Sequence, residues 1–161
     1  MEESRTAIQV LCDALQSLSV ASLGLFAGSM LTEGSVLVPY WRSLSPAEFF
    51  AWYAANDRRL LAFFSPVTSI TAVVVLATAA VSLWAGHPGR WVTVIACASI
   101  LAAVTMFFVY FEAANASFSA ASVAPQELAA ELSRWATWHA VRTVLSLVAL
   151  ACAMLAFERP A

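Results

Sequence analysis

LLAFFSPVTSITAVVVLATAAVSLWAG, residues 60–86, decides the fold of this chain because it contains no charged residue. A helix needs about 20 apolar residues to cross the hydrocarbon core of a bilayer, and this stretch exceeds that length. Two further stretches, residues 14–32 and 91–111, are also free of charge. Three segments of the chain are therefore long enough to span a membrane as helices.

The last apolar stretch, TVLSLVALACAMLAF at residues 143–157, is too short to span a membrane alone. A fourth spanning helix must include part of the preceding RWATWHAVRT, residues 134–143. That extension places His139 and Arg142 within or just under the bilayer surface. The sequence therefore predicts a fourth helix with a histidine and an arginine one turn apart at membrane depth.

The composition agrees with a membrane protein and excludes a nucleic-acid-binding one. Of 161 residues, 61% are hydrophobic and only 11% are charged, against about 25% charged residues in a soluble domain. The chain has no lysine and a net charge of −2, so it offers no basic stripe for nucleic acid. The three cysteines lack the spacing of a metal site, and we interpret them as packing residues.

Turn and cap signals divide the chain into four helices. Pro39 is predicted to end the first helix, and Ser45 to Glu48 has the pattern of a capping box that starts the second. Pro125 is predicted to open the fourth helix. The sequence thus predicts a single-domain, all-α, integral membrane four-helix bundle with short loops and both termini on the same side. Its helices are expected at about residues 7–38, 46–85, 90–117 and 125–157.

The start of the chain lacks the basic region of a signal peptide, so we expect the first helix to stay in the membrane. The aromatic cluster from Phe49 to Tyr53 is interpreted as part of an interfacial belt. The lysine-free, alanine-rich composition is typical of a GC-rich bacterial genome, which indicates the bacterial inner membrane. Arg5, Arg90 and Arg159 flank the terminal side, and this slight bias favours cytoplasmic termini.

Ionisable and amide side chains cluster by depth. Because neighbouring helices run in opposite directions, six such residues fall in the half of the membrane away from the termini, whereas the other half holds the cysteines and few polar groups. Polar residues at membrane depth are costly and usually face an interior cavity. The six residues are Glu33, Asp57, Glu112, Asn115, His139 and Arg142.

These residues predict a shared polar cavity with aromatic walls. His139 and Arg142 are three residues apart, as are Glu112 and Asn115, so each pair shares a helix face. The candidate catalytic residues are His139, Arg142, Glu112, Asn115 and Glu33. The candidate substrate-binding residues are Trp135, Trp138, Phe108, Phe111 and Asp57.

A structural role remains the alternative for each of these residues. Arg142 could extend to the interface or pair with a carboxylate for stability alone. Asp57 could form an interfacial ion pair with Arg58 or Arg59. Glu33, Glu112 and His139 could likewise be satisfied packing residues.

Two oxidative chemistries suit such a cavity. In the first, His139 removes a proton from a substrate carbon or phenol, Arg142 stabilises the oxyanion, and molecular oxygen oxidises the substrate. In the second, Glu33, Glu112 and His139 bind a metal, with copper or iron as the best candidates. The chain lacks the paired Glu-x-x-His motifs of di-iron bundles, so the metal hypothesis has no complete template.

A different class of function stays open on the same residues. A glutamate embedded in the first of four short helices is also typical of small proton-coupled transporters, where a carboxylate exchanges protons for a cationic cargo. The histidine and arginine on the fourth helix disfavour cationic cargo. A purely structural subunit would leave the clustering by depth unexplained.

The chain resembles the anthrone-oxygenase-like integral membrane family from about residue 15 to 157. The similarity rests on Pro39-Tyr40-Trp41, on Asn115, and above all on the Trp-x-x-x-His-x-x-Arg run of Trp135, His139 and Arg142. Members often carry a proline two residues before the asparagine, where this chain has Ala113. The resemblance implies a four-helix membrane enzyme that oxidises a small lipophilic molecule with O2 as cosubstrate, as in the conversion of anthrones to anthraquinones in natural-product pathways. The expected partners are that substrate and the lipid bilayer, and the chain could also form a homo-oligomer.

Overall fold

The computed structural model describes the backbone of residues 2–158 and the side chains of residues 7–158. The side chain of Arg5 and all of Arg159, used above to orient the chain, lie outside these described residues. The predicted all-α four-helix bundle is confirmed.

Helix α1 consists of an α-helical part Glu2–Thr32, a π-helical turn Glu33–Leu37 and a final α-helical part Val38–Ser43. Helix α2 is Pro46–Trp84. Helix α3 consists of Arg90–Met106, a second π-helical turn Phe107–Phe111, and Glu112–Ser119. Helix α4 is Leu128–Phe157. All four are long and apolar enough to cross a membrane, and the protein is an integral membrane protein by this criterion.

The prediction that Pro39 ends the first helix is wrong, because the helix continues through it to Ser43. Proline has no N–H, and its ring collides with the carbonyl four residues earlier in a regular α-helix. The π turn Glu33–Leu37 ends two residues before Pro39, and the wider turn changes the hydrogen-bond register where that collision would occur. Helix α4 begins at Leu128, three residues later than expected from Pro125.

The predicted capping box at the start of α2 is confirmed. The Ser45 hydroxyl accepts a hydrogen bond from the Glu48 backbone N–H at 3.4 Å, and the Ser45 backbone N–H donates to Glu48 Oε2 at 2.8 Å. Two of the N–H groups that a helix start leaves unpaired are satisfied in this way.

The helices form a ring in which α1 and α3 each pack against both α2 and α4. We call the end of the bundle that holds both chain termini the terminal face and the opposite end the loop face. At the terminal face, an added Cβ at Gly89 would lie 2.9 Å from the Ala156 carbonyl oxygen. Glycine therefore permits the α2–α3 turn to approach the end of α4 closely.

The half of the bundle near the terminal face is more polar than expected. Gln16, 1% exposed, donates to the hydroxyls of Ser82 and Thr93 at 3.3 and 3.1 Å. The hydroxyls of Ser19 and Thr78 lie 2.7 Å apart. These uncharged groups form hydrogen bonds across α1, α2 and α3, so they join the helices where lipid offers no hydrogen bonds. The three cysteines are free thiols.

The interpretation of residues 49–53 as an interfacial belt is only partly right. Phe49 and Tyr53 are 0% and 3% exposed, and both pack against Trp41 and Phe118. This aromatic cluster fills the interior near the loop face, because α1 continues past Pro39 and brings Trp41 inside the bundle.

Candidate functional site

Glu33 and Arg142 form an ion pair inside the bundle. The Arg142 Nη2 donates to Glu33 Oε2 at 2.9 Å, with side-chain exposures of 12% and 6%. Glu33 opens the π turn of α1, and Arg142 lies near the middle of α4. A charge at this depth is tolerated when it is paired and faces the interior, and each residue supplies the partner that the other requires.

His139 forms a hydrogen bond with Arg142 and does not itself line the cavity described below. Its Nε2 lies 2.9 Å from the Met30 carbonyl oxygen, and its Nδ1 lies 3.1 Å from Arg142 Nη2. A carbonyl can only accept, so the proton is assigned to Nε2, and Nδ1 then accepts from the guanidinium. The distance of 3.4 Å from Nδ1 to Glu33 Oε2 reflects the shared position of the guanidinium, since both atoms accept from the same nitrogen.

Aromatic rings fix both members of the His139–Arg142 pair. The Trp135 ring stacks on the His139 ring, with centroids 5.0 Å apart and planes 12° apart. The Trp135 Nε1 donates to Asn115 Oδ1 at 2.9 Å. The Arg142 guanidinium lies over the Phe111 ring at 4.2 Å, within the range of a cation–π contact. Asn115 therefore contacts the cluster through an indole, and its amide NH2 group is not used in that contact.

A cavity of about 530 Å³ lies beside the ion pair. Volumes of this order are typical of sites for small molecules. Glu33, Arg142, Trp135 and Asn115 line it, and Phe26, Met30 and Phe64 are among its apolar walls. The structure thus brings five predicted residues to one place, four on the cavity wall and His139 directly behind them.

Asp57 and Glu112 also line the cavity, but neither reaches the ion pair. The Ser119 hydroxyl donates to Asp57 Oδ2 at 3.1 Å, near the loop face. Glu112 is exposed on the rim of the cavity and forms no hydrogen bond or ion pair with the residues that the structure describes. Glu112 therefore lines the predicted cavity from its exposed rim.

The aromatic residues that were predicted to line the cavity lie in different environments. Phe108 lies on the outer rim of the cavity and is 68% exposed. Phe111 is fully buried beneath Arg142. Trp138 does not line the cavity and stacks on Tyr110, with centroids 5.1 Å apart. Only Phe108 and Trp135 of these rings are positioned to touch a ligand.

The residues proposed as metal ligands do not share a common point. Within residues 7–158, no group of three His, Cys, Asp or Glu side chains is arranged to hold a metal ion. Both ring nitrogens of His139 have protein partners, and the guanidinium between His139 and Glu33 would repel a cation. This arrangement does not fit a metal held by Glu33, Glu112 and His139.

The sequence interpretation missed three contributors to the site. The Met30 carbonyl fixes the His139 ring, Gly34 leaves room for it, and Tyr53 lines the cavity. An added Cβ at Gly34 would lie 3.2 Å from His139 Nε2. The glycine directly after Glu33 was the one available signal, because a helical glycine often marks a close approach.

Comparison with protein-family models, curated proteins and solved structures gives no match to this chain.

Proposed function

We propose that the protein is a membrane-embedded oxygenase or oxidase that oxidises a small lipophilic molecule with O2. The observation that carries the proposal is the buried Glu33–Arg142 ion pair, which forms the floor of a cavity of about 530 Å³ with apolar walls. A base and a fixed cation at the end of an apolar cavity are suited to forming and stabilising a substrate anion. The resemblance of residues 135–142 to the anthrone-oxygenase-like family supplies the reaction class.

In the proposed reaction, Glu33 accepts a proton from an acidic CH2 group or phenol of the substrate. Arg142 stabilises the resulting oxyanion, and the electron-rich anion reacts with O2. For a CH2 group between two aromatic rings, one oxygen atom becomes the new carbonyl oxygen, and the other leaves as water with the two hydrogens. Electrons therefore pass from the substrate to O2, and no further reductant is needed.

His139 acts in this proposal as a positioning residue. It does not line the cavity, and its Nδ1 accepts from the same nitrogen of Arg142 that binds Glu33. It holds the guanidinium in one orientation, while the Met30 carbonyl holds the imidazole. Asn115, oriented by Trp135, can offer its amide NH2 group to the substrate or to a peroxide.

The wider setting follows from the composition and the resemblance. We place the protein in the bacterial inner membrane, with cytoplasmic termini, in natural-product metabolism. A homo-oligomer is compatible with this function. The proposed chemistry uses no metal, because Glu33, Glu112 and His139 do not form a shared site. Elemental analysis of the purified protein for copper and iron tests this point separately from the base chemistry.

The test uses protein reconstituted in lipid nanodiscs, with anthrone as the substrate and an oxygen electrode as the detector. We expect oxygen uptake with formation of anthraquinone. Loss of a general base typically costs about 10²–10⁴-fold in rate, and we expect Glu33→Gln to fall in this range. His139→Ala should lower the rate while the protein remains folded in the membrane.

Trp138→Phe is the matched control, because Trp138 lies one helical turn before Arg142 but does not line the cavity. It should keep the wild-type rate, whereas Trp135→Phe should reduce it by releasing Asn115. A wild-type rate equal to that of empty nanodiscs refutes the use of anthrone, and a Glu33→Gln rate equal to that of the wild type refutes the role of Glu33.

A small proton-coupled transporter is the second candidate. The cavity is lined by the three carboxylates of Glu33, Asp57 and Glu112 against the two arginines Arg58 and Arg142, and this excess of negative charge would attract a cation. Addition of tetraphenylphosphonium to the protein in weakly buffered detergent would then release protons, and Glu33→Gln would abolish the release. Absence of proton release in the wild-type protein rejects this candidate.

A further inference from the structure

The cavity is a long slot between α2 and α3. Its lining runs along α2 from Tyr53 to Ser69 and along α3 from Ala103 to Ser119. At 1.5 Å per residue, each side is about 24 Å long, which approaches the thickness of the hydrocarbon core of roughly 30 Å. Helices α1 and α4 close the back of this slot.

The front of the slot faces the side of the bundle, where lipid lies. The outer rim carries Leu61 and Phe108, which are 57% and 68% exposed, together with exposed Ser65 on α2. The back wall carries Phe26 and Met30, each 1% exposed. The cavity therefore extends from the lipid-facing rim to the back wall between two helices whose facing rims include small side chains.

The loop-face end of the interior is closed by aromatic rings. Trp41, Phe49 and Phe118 are at most 1% exposed and contact one another or Tyr53 and Trp135. This packed layer lies between the ion pair and the loop face. The slot passes beside this layer and ends at Asp57 and Ser119.

Glu112 marks the rim at membrane depth. The hydrogen bond from Ser119 to Asp57 sets the register of α2 against α3. Counting seven residues from this bond toward the membrane centre on each helix leads to Glu112 of α3 and Phe64 of α2. These two residues therefore lie at the same level, about 10 Å deeper than the bond. A carboxylate at this depth is costly and marks a pathway or binding site.

We propose that ligands reach the Glu33–Arg142 ion pair sideways from the bilayer, through the slot between α2 and α3. The ligand is a small bilayer-dissolved molecule with an apolar body and a hydrogen-bond donor, which Glu112 receives at the rim. That this ligand is a substrate rests on the proposed function, whereas the route itself rests only on the geometry of the slot.

Photolabelling in lipid vesicles tests the route with trifluoromethyl(iodophenyl)diazirine, a small aromatic probe that dissolves in bilayers. After irradiation, mass spectrometry of peptides locates the adducts. We expect adducts on Phe26 and Met30 at the back wall as well as on the lipid-facing residues. Trp41 is the internal background, because it is also 1% exposed but does not line the slot.

Two variants on α2 make the test specific. Ser65→Trp places a large ring at the rim, whereas Ala62→Trp places the same ring on an exposed position of α2 that does not line the slot. We expect Ser65→Trp to reduce labelling of Met30 to the level of Trp41, and Ala62→Trp to leave it unchanged. Equal labelling of lipid-facing Val73 in all three proteins shows that each is inserted in the bilayer, and equally low labelling of Trp41 shows that each keeps its packed interior.

Labelling of Met30 no greater than that of Trp41 in the wild-type protein overturns the proposal. Labelling of Met30 that Ser65→Trp leaves unchanged also overturns it. Because the probe needs no turnover, these results are independent of oxygen uptake. A failed oxidation assay with positive labelling would reject anthrone as the substrate and keep the route, and the reverse result would reject the route alone.

Discussion

The ion pair between Glu33 and Arg142 should dominate the stability of the half of the bundle near the loop face. Glu33→Gln removes the carboxylate 2.9 Å from the guanidinium and leaves a charge with little access to water. Breaking a buried pair by removing one partner costs about 3–5 kcal/mol. We expect a loss near the lower limit, because His139 Nδ1 still accepts from Arg142 Nη2 at 3.1 Å.

The double variant Glu33→Gln/Arg142→Gln removes both charges. It therefore separates the interaction energy of the ion pair from the effects of the two individual side chains. We expect its loss of stability to be smaller than the sum of the two single losses by about 2 kcal/mol, since residues in contact are coupled. The assay is equilibrium unfolding by SDS in mixed micelles, followed by tryptophan fluorescence.

Arg134→Gln is the control, because it breaks a surface ion pair with the same donor–acceptor distance as the buried pair. Arg134 lies 2.9 Å from Glu131, but its side chain is 64% exposed, so we expect a loss below about 1 kcal/mol. The reasoning is refuted if Glu33→Gln costs no more than Arg134→Gln, or if the two single losses simply add in the double variant.

Two further predictions concern the helix backbones, and the same unfolding assay checks both. Gly34→Ala should lower the free energy of unfolding by roughly 1–3 kcal/mol, because its Cβ displaces the ring of His139. The control Gly28→Ala, whose added Cβ meets nothing within 4 Å, should raise it by up to about 1 kcal/mol. Equal effects of the two substitutions would show that the His139 ring is free to move. Ala113→Pro should be tolerated, because the π turn of α3 ends two residues before it, at the spacing found before the proline of α1. Ala102→Pro in the regular part of α3 should cost about 3 kcal/mol or more, and an equal loss at both sites would contradict the role of the π turn.

The sequence by itself determined the number of spanning helices and the depth of their polar residues. Both depend on length, hydrophobicity and chain direction alone, so they required no knowledge of contacts. The short apolar stretch at residues 143–157 was sufficient to include His139 and Arg142 in the fourth spanning helix, as the structure has them. Glu33 was placed in the same half by the same counting.

Only the tertiary structure decided which way these side chains point. Each π turn inserts about one extra residue and rotates the following helix by roughly 100° relative to a regular α-helix. Phe108 lies within the turn Phe107–Phe111 and Glu112 follows it directly, so spacing rules for a regular helix could not relate the two positions. The sequence placed Glu112 at the cavity, and only the structure shows that its side chain lies on the outer rim of the slot.

The same limit applies to His139. The sequence shows directly that His139 lies three residues before Arg142. Its distance to the Met30 carbonyl, however, depends on how α1 packs against α4. That packing engages both ring nitrogens and leaves Glu33 and Arg142 on the cavity wall. Depth along a helix is thus a property of sequence, whereas direction around its axis is set by contacts between helices.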